Sequence, residues 1–563
     1  MRKRVVKNGV AVNAIAGTYV VFLGLNIEPA LKKGFRGFAI KREDHTEGEA
    51  YWLRGLKTFE AVVPNPSPGA SFSSYVHPIQ SFQWADYSAK PAHQYTYTIL
   101  CMYGQVNDIK PKRQLTVTIS TEVEVIENGH SVFFNRGSVA TQEYARKFLN
   151  KKPKDAGPAA YAWLSRGLLE SIIRFIDNTK KGDSIFGAVY EFQWPAIYLA
   201  LKNAKKRGVK IDIIYDGIDK PGGPKKRNEK GIDDANIKSI TDPRKNGKLM
   251  HNKFLIHSRG DKNFSVLTGS TNQTENGIYG HSNLVHIVND ITVADAYKAY
   301  WKILKKDPEV KESYREDNMQ ASPVLDTLPK GTTPIFSPRG TKLDSLNWYA
   351  TLASEAKGAL LMTFAFGMHQ KFKDVYNMDD NILRMALMEK AFAPSSKEKD
   401  TKDVQKIRNR KNVIVALGNR IATNAFDRWL KEIDRIIPQL HVYWIHTKYM
   451  IVDPLSANPI IVSGSANFSK ASTDTNDENM LLVKGDKRVA DIYFGEYLRL
   501  FAHYSFRESV KRALDKKKIG TADDWKPQFL IADDSWMDDY FNENNDKTAR
   551  FARRAYFSGP MSE

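Results

Sequence analysis

The sequence predicts an α/β body built from a duplicated unit, with an all-β sandwich in front of it. Three observations carry this. Two segments share one residue pattern at one spacing, which marks an internal repeat. Around each copy, apolar runs of strand length alternate with helical patterns, the signature of βαβ units and parallel pairing. Residues 1–125, in contrast, show short β-branched and aromatic runs divided by turn signals, with no clear helix.

The repeat is read most clearly downstream. His446-Thr-Lys448 leads into Tyr449-Met-Ile-Val452 and Asp453, and Gly464-Ser-Ala-Asn467 follows a second apolar run. Upstream, His251-Asn-Lys253 leads into Phe254-Leu-Ile256 and Ser258, followed by Gly269-Ser-Thr-Asn272. His251 to Ser270 and His446 to Ser465 are both 19 residues; His251 to Asn272 and His446 to Asn467 are both 21. A further pair of segments, His281-Ser-Asn-Leu-Val285 and Asp477-Glu-Asn-Met-Leu481, follows the two turns.

In chain order, residues 1–125 are expected to form a sandwich of immunoglobulin or fibronectin type. Its strands include Tyr19–Leu23, Gly37–Lys41, Gln94–Leu100 and Leu115–Ile119. Residues 126–310 form the first lobe: a helix over Ala159–Asn178, a strand at Ser184–Val189, a helix from Pro195 to Arg207 and a strand at Val209–Tyr215. A basic loop over Lys220–Lys230, the His251 motif and a closing helix at Ile291–Leu304 complete it. Residues 311–335 read as a polar linker. The second lobe, 336–510, repeats the order: a helix at Leu343–Ala356, a strand at Gly358–Ala365, a helix at Asn381–Phe392, a charged loop at Ser395–Arg410 and a strand at Asn412–Leu417. The His446 motif and a helix at Arg488–Phe506 follow. The tail, 511–563, holds Trp525, Trp536, Tyr540 and Phe541, and aromatics at that density predict docking on the catalytic body.

Composition narrows the partners. The net charge is +20, which favours nucleic acid, anionic lipid surfaces or phosphate-bearing substrates. The single cysteine, Cys101, excludes an intrachain disulfide framework and a cysteine metal cluster. No His, Cys and carboxylate set has metal-ligand spacing, so neither metal nor cofactor is expected. No apolar run reaches 18 residues, so no transmembrane segment is expected. Asn13, Thr18 and Asn26 interrupt the apolar N-terminal stretch, which argues against a cleaved signal peptide. The expected location is cytoplasmic, or outside the cell by a route without such a peptide.

The residue types state a chemistry. Positions i and i+2 of a strand share one face, so each His-x-Lys sets an imidazole beside an ammonium. The glycine of Gly-Ser-x-Asn lets backbones approach closely, and its serine and asparagine offer neutral hydrogen bonds. Two lysines with several donors suit a tetrahedral oxyanion, and two histidines suit covalent attack and leaving-group protonation.

These motifs resemble those of the phospholipase D superfamily, the HKD phosphodiesterases, over roughly residues 135–510. The resemblance implies two pseudo-symmetric phospholipase-D-like α/β lobes with one active site at their seam. It also implies a phosphohistidine intermediate without a metal. His251, Lys253, His446, Lys448 and Asp453 are then the expected catalytic residues, and Ser270, Asn272, Ser465 and Asn467 the phosphate-binding ones. Asn283 and Glu478 or Asn479 would brace the histidines. His251 is the expected nucleophile; the reverse order follows if Asp453 strengthens the histidine of its own lobe. Ser258 stands where the family pattern has an aspartate, which would make the half-sites electrostatically unequal. The expected substrate is an anionic phosphodiester: a phospholipid head group, with peripheral membrane association, or alternatively DNA or RNA. A binding or scaffold protein with an impaired site is the reading from another class.

Overall fold

The computed structural model describes the chain except residues 68, 138–141, 150, 261, 324–326, 341–343, 390–396, 419–444, 519–525, 545–547 and 562–563, and the side chains of 142, 145, 344, 397–400 and 510–518. Trp444, Trp525 and part of the Ser395–Arg410 segment therefore lie outside the described residues.

The N-terminal strands are β1 (Arg2–Lys7), β2 (Val10–Ala16), β3 (Val21–Ile27), β4 (Phe35–Asp44) and β5 (Glu49–Trp52). A short ladder joins β6 (Arg54–Gly55) to β7 (Phe72–Ser73), and β8 (Gln83–Asp86), β9 (Gln94–Gln105) and β10 (Asp108–Ser120) follow. They make two four-stranded antiparallel sheets, ordered β1-β2-β3-β8 and β10-β9-β4-β5. Their inner faces, among them Val12, Leu23, Phe38 and Ile99, form one core. The expected sandwich is present.

Two seven-stranded mixed sheets follow. The first comprises β11 (Gly129–Phe134), β12 (Asp183–Val189), β13 (Lys210–Asp216), β14 (Thr241–Arg244), β15 (Lys253–Arg259), β16 (Lys262–Gly269) and β17 (Leu284–Asn289). The second comprises β18 (Gly331–Ser337), β19 (Ala359–Phe364), β20 (Leu383–Met388), β21 (Val413–Leu417), β22 (Tyr449–Val452), β23 (Ile460–Gly464) and β24 (Glu478–Lys484). Their orders match strand for strand: β11-β17-β16-β15-β12-β13-β14 and β18-β24-β23-β22-β19-β20-β21. In each, the three strands that begin the βαβ run are parallel and the strand after the His-x-Lys motif pairs antiparallel. These are the two pseudo-symmetric α/β lobes.

Several elements differ from expectation. The helix expected over 159–178 is two, Pro158–Ser165 and Leu168–Asp177. Arg166 and Gly167 break it with positive φ of 48° and 84°. The loop at 220–230 ends in a helix, Lys225–Asp234, whose Asn228 is buried and bonds the Tyr190 and Asp216 carbonyls. The supposed linker holds the helix Glu312–Ala321, which buries Tyr314. The helix expected at 381–392 is instead strand β20, parallel to β19 and buried throughout. A short run of Leu, Met and Ala around one buried arginine, Arg384, does not reveal its period when all sides are covered. The charged segment before β21 carries a helix, Lys397–Arg408, rather than a loop.

The lobes share cores. Phe254, Tyr297 and Tyr300 of the first pack with Phe336 and Leu481 of the second. The long helix Lys487–Lys518 places Tyr493 and Phe494 between the second sheet, Phe134 and the sandwich residue Phe22. The tail closes the sandwich more than the lobes. Trp536 enters the sandwich core and its indole N–H donates to the Phe35 carbonyl, while Phe557 packs between Phe22 and Phe494.

Candidate active site

Each His-x-Lys lies where the chain enters the central strand of its lobe, and each is tied across the seam. The His251 N–H donates to the Asp477 carbonyl and the Asp477 N–H to the Leu249 carbonyl, at 2.9 Å each. The symmetric contact runs from the His446 N–H to the Ser282 carbonyl at 3.2 Å. Isolated bridges Met250–Asp477 and Ser282–Ile445 stitch the lobes on both sides. Behind each motif a buried carboxylate accepts the preceding N–H: Asp216 from Met250 at 3.2 Å, Glu389 from Ile445 at 2.9 Å. Burial raises Asp216 to about 6 despite two backbone donors. No sequence signal marks these two carboxylates, because each stands where a strand ends, Asp216 as the last residue of β13 and Glu389 just after β20.

The imidazoles are braced by the opposite lobe. His251 Nδ1 lies 2.8 Å from Glu478 Oε2, and His446 Nδ1 lies 2.9 Å from Asn283 Oδ1. Asn283 and Glu478 are therefore equivalent, both at the same 195-residue offset that relates the histidines. The Asn283 carboxamide has one orientation, since its amide donates to the Gly277 carbonyl and its oxygen also accepts from Ser270 Oγ. The glycines before the two serines allow this approach. A Cβ at Gly269 would stand 2.3 Å from the Leu284 oxygen, and one at Gly464 2.2 Å from the Asn479 oxygen.

Lys253 and Lys448 each donate to the carbonyl of their own motif histidine at 2.6 Å, leaving further N–H groups for a ligand. Tyr190 packs edge-on to His251, ring centroids 4.9 Å apart, and its face lies 5.0 Å from the Lys253 ammonium. His281 stands 5.5 Å from His446 between centroids. Burial pushes His251 down to about 4, against the pull of Glu478, and Lys253 down to about 8. Burial, then Lys448, holds His446 well below the ordinary value. Burial, then Lys253, does the same to Lys448. An arriving phosphate anion reverses these shifts by supplying the missing countercharge.

Four expected residues take other places. Ser270 and Ser465 are fully buried, and their hydroxyls bond Asn283 Oδ1 and the Asn479 backbone, so they position the braces instead of facing a phosphate. Asn479 is knotted into the core between the lobes: its oxygen accepts from Thr268 and Tyr297, and its amide donates to Asn252. Asp453 lies at the far end of β22, where its carboxylate accepts the N–H groups of Lys357, Gly358 and Ala359. It fixes the start of β19 and makes none of the contacts in the cleft. Ser258 is equally remote, bonded to Asn263. In the first lobe Asp183, opposite Arg259 on the paired strand, supplies a carboxylate, bonded to His257 and Arg259. The half-sites differ in their braces, Glu478 on His251 and Asn283 on His446, while Ser258 lies away from both histidines. Asn272 sits on its turn with its amide 2.5 Å from Glu191, and Asn467 is half-buried on the matching turn.

Two lobes of one topology, joined by crossed braces around paired histidines and lysines, define a phosphodiesterase scaffold. Residues 172–305 and 398–498 match the family described as cardiolipin synthase, PLD-like domain, and both His-x-Lys motifs fall inside the match. The two matched segments, one in each lobe, are phospholipase-D-like. Similar solved structures include phosphatidylserine synthase of Haemophilus influenzae, 13% identical over 63% of this chain and 93% of that one, TM-score 0.42. Yeast tyrosyl-DNA phosphodiesterase is 12% identical over 57% and 88%, TM-score 0.34. Polyphosphate kinase of Porphyromonas gingivalis is 12% identical over 57% and 43%, TM-score 0.37, so the chain spans less than half of that protein's length. No curated protein matches the chain. Among the described residues, no helix is long and apolar enough to cross a membrane.

Proposed function

We propose that the chain hydrolyses or transfers phosphodiesters through a covalent phosphohistidine, with His251 as nucleophile and His446 as general acid and then base. The observation that carries this reading is the unequal pair of braces, Glu478 on His251 and Asn283 on His446. With Nδ1–H donated to a carboxylate, His251 presents the lone pair of Nε2, and the imidazolium that forms on attack is stabilised. With a neutral amide oxygen on Nδ1, protonated His446 gains no such support and gives up its Nε2 proton more readily.

In the first step Nε2 of His251 bonds to phosphorus, the ester P–O bond breaks, and the leaving oxygen takes the proton of His446. In the second step water gives a proton to His446 and its oxygen bonds to phosphorus. The P–N bond then breaks and both histidines are restored. Lys253 and Lys448 neutralise the non-bridging oxygens, with Asn272 and Asn467 as further donors.

The substrate we infer is a phospholipid head group, supported by the lipid-synthase description of the matching family and by a net charge of +20 that draws the protein to anionic bilayers. The same charge favours metal-independent cleavage of nucleic acid as the second reading. Turnover on phospholipid vesicles and on single- and double-stranded DNA, in EDTA and beside His446→Asn, separates them. Lipid cleavage lost in the variant supports the first reading, and DNA cleavage lost in it supports the second. Absence of turnover on both, and on a chromogenic phosphodiester, refutes the enzymatic reading.

A further inference from the structure

We propose that an open cavity between the sandwich, the helix Pro158–Ser165 and the long helix Lys487–Lys518 is a second, non-catalytic site for a compact, multiply phosphorylated anion. The cavity measures about 800 Å³, within the usual range for small-molecule sites. None of its lining residues belongs to the catalytic cleft.

Its floor is cationic. Arg136, Arg166 and Arg499 reach it together, and the one carboxylate they share is Glu496, bonded to both Arg166 and Arg499. Arg136 forms no salt bridge among the described residues: it donates to the Trp163 carbonyl and stacks on the Trp163 ring at 4.5 Å. Burial, followed by repulsion from Arg166 and Arg499, pushes Arg136 down to about 9. Three guanidinium groups held around one carboxylate leave a deficit that an anion fills. Arg507 adds to the buried cations, and the mouth adds Lys90, paired with Glu47, and Arg146 and Lys147, which share Glu143, the sole acidic residue of the lining among the described residues.

Depth selects the ligand. Arg166, Arg499 and Arg507 are each 7% exposed, so a group must enter to reach them. A flat surface or a rigid protein face touches only the mouth. A lone phosphate fills a small part of the volume and meets one cluster, whereas several phosphates on a compact frame meet floor and mouth at once. Such a frame is either a free molecule or the head group of a polyphosphorylated lipid.

The full chain is titrated calorimetrically with inositol hexakisphosphate. In parallel it is floated with phosphatidylcholine vesicles with and without phosphatidylinositol bisphosphate. The expected result is saturable binding that weakens about tenfold in Arg136→Gln, as loss of a charge-assisted contact predicts. It weakens several-fold in Arg146→Ser/Lys147→Ser, and Lys253→Gln in the cleft leaves it within twofold. Arg146 and Lys147 side chains are 77% and 47% exposed, so that double variant tests the site even where Arg136→Gln fails to fold. Binding of the soluble anion supports a free ligand, and binding only to the phosphoinositide vesicles supports a lipid head group. Absence of binding in both arms, binding indifferent to the mouth variant, or binding abolished by Lys253→Gln overturns the proposal.

Discussion

Replacing Glu478 by glutamine isolates the feature that sets the two histidines apart. The carboxylate is fully buried and 2.8 Å from His251 Nδ1, and it is the chief group raising the basicity of an imidazole that burial otherwise drives down to about 4. As His251 attacks, its ring becomes cationic, and a hydrogen bond to a charged group contributes ~1.5–3 kcal/mol. If that stabilisation is expressed in the transition state, kcat falls by roughly 10- to 150-fold in Glu478→Gln with KM little changed. The pH profile adds a second reading. Removing the group that raises His251 moves the acid limb to lower pH even as the plateau falls. A chromogenic phosphodiester read from pH 4 to 9, with a denaturation curve to count folded protein, measures both. A plateau within about twofold of the parent, or an acid limb moving to higher pH, would refute the assignment of His251 as nucleophile.

Three further outcomes are expected. His446→Asn lowers steady-state turnover by about 10²- to 10⁴-fold, while a nitrophenyl diester, which needs little protonation, still gives a burst and an acid-labile phosphoryl adduct on His251 by mass spectrometry; an adduct on another residue refutes the order of steps. Asp453→Asn and Asp183→Asn each cost about 1–3 kcal/mol of stability in urea, through backbone N–H groups at half-buried Asp453 and ion-pair partners at buried Asp183 left poorly matched, yet leave kcat per folded molecule unchanged, and a selective loss of kcat would return Asp453 to the site. His251 and His281 are held near 4 by burial, against an ordinary 6.5, and His286, His446 and His503 are also depressed. The unfolded chain thus binds more protons between those values, so stability is full above pH 6.5 and is lost as pH falls towards 4; a melting temperature flat from pH 7 to 4.5 would count against neutral buried imidazoles.

What the sequence made legible followed from local rules. The repeated spacing located the two histidines, both lysines and both brace segments, because a duplicated unit preserves offsets. The sandwich was legible from β-branched runs that alternate around turns. Where burial is complete on every side, the signal vanished. Leu383–Met388 has good helix formers and a single polar residue, Arg384, itself buried against Asp380, so nothing local distinguishes a central strand from a helix. The break at Arg166 and Gly167 was hidden inside a continuous apolar pattern. The role of Asp453 was misplaced for a different reason. Its spacing from His446 fixes a strand length, and a four-residue strand carries it to the opposite end of β22 from the imidazole. Asp216 and Glu389 were missed because their partners, the N–H groups of Met250 and Ile445, come from segments remote in sequence.

The crossed braces also explain what duplication within one chain makes possible. Each histidine takes its brace from the other lobe, so neither lobe holds a complete half-site alone. In a symmetric dimer of single-motif subunits both braces would be the same residue, since a twofold axis makes every contact occur twice. Covalent linkage releases that constraint, and here the equivalent positions hold a carboxylate and a carboxamide. Two imidazoles of equal basicity compete for the same proton and the same role. Unequal braces push their proton affinities apart, and pairs of titratable groups separated in this way are what acid–base division of labour requires. Asn283→Asp is accordingly expected to raise His446 and narrow the difference. The basic limb of the rate profile then moves to higher pH and protonation of the leaving group becomes weaker at the plateau. If Asn283→Asp instead leaves the basic limb in place while Glu478→Gln still shifts the acid limb, the carboxamide is only a spacer, and the division of labour rests on Glu478 alone.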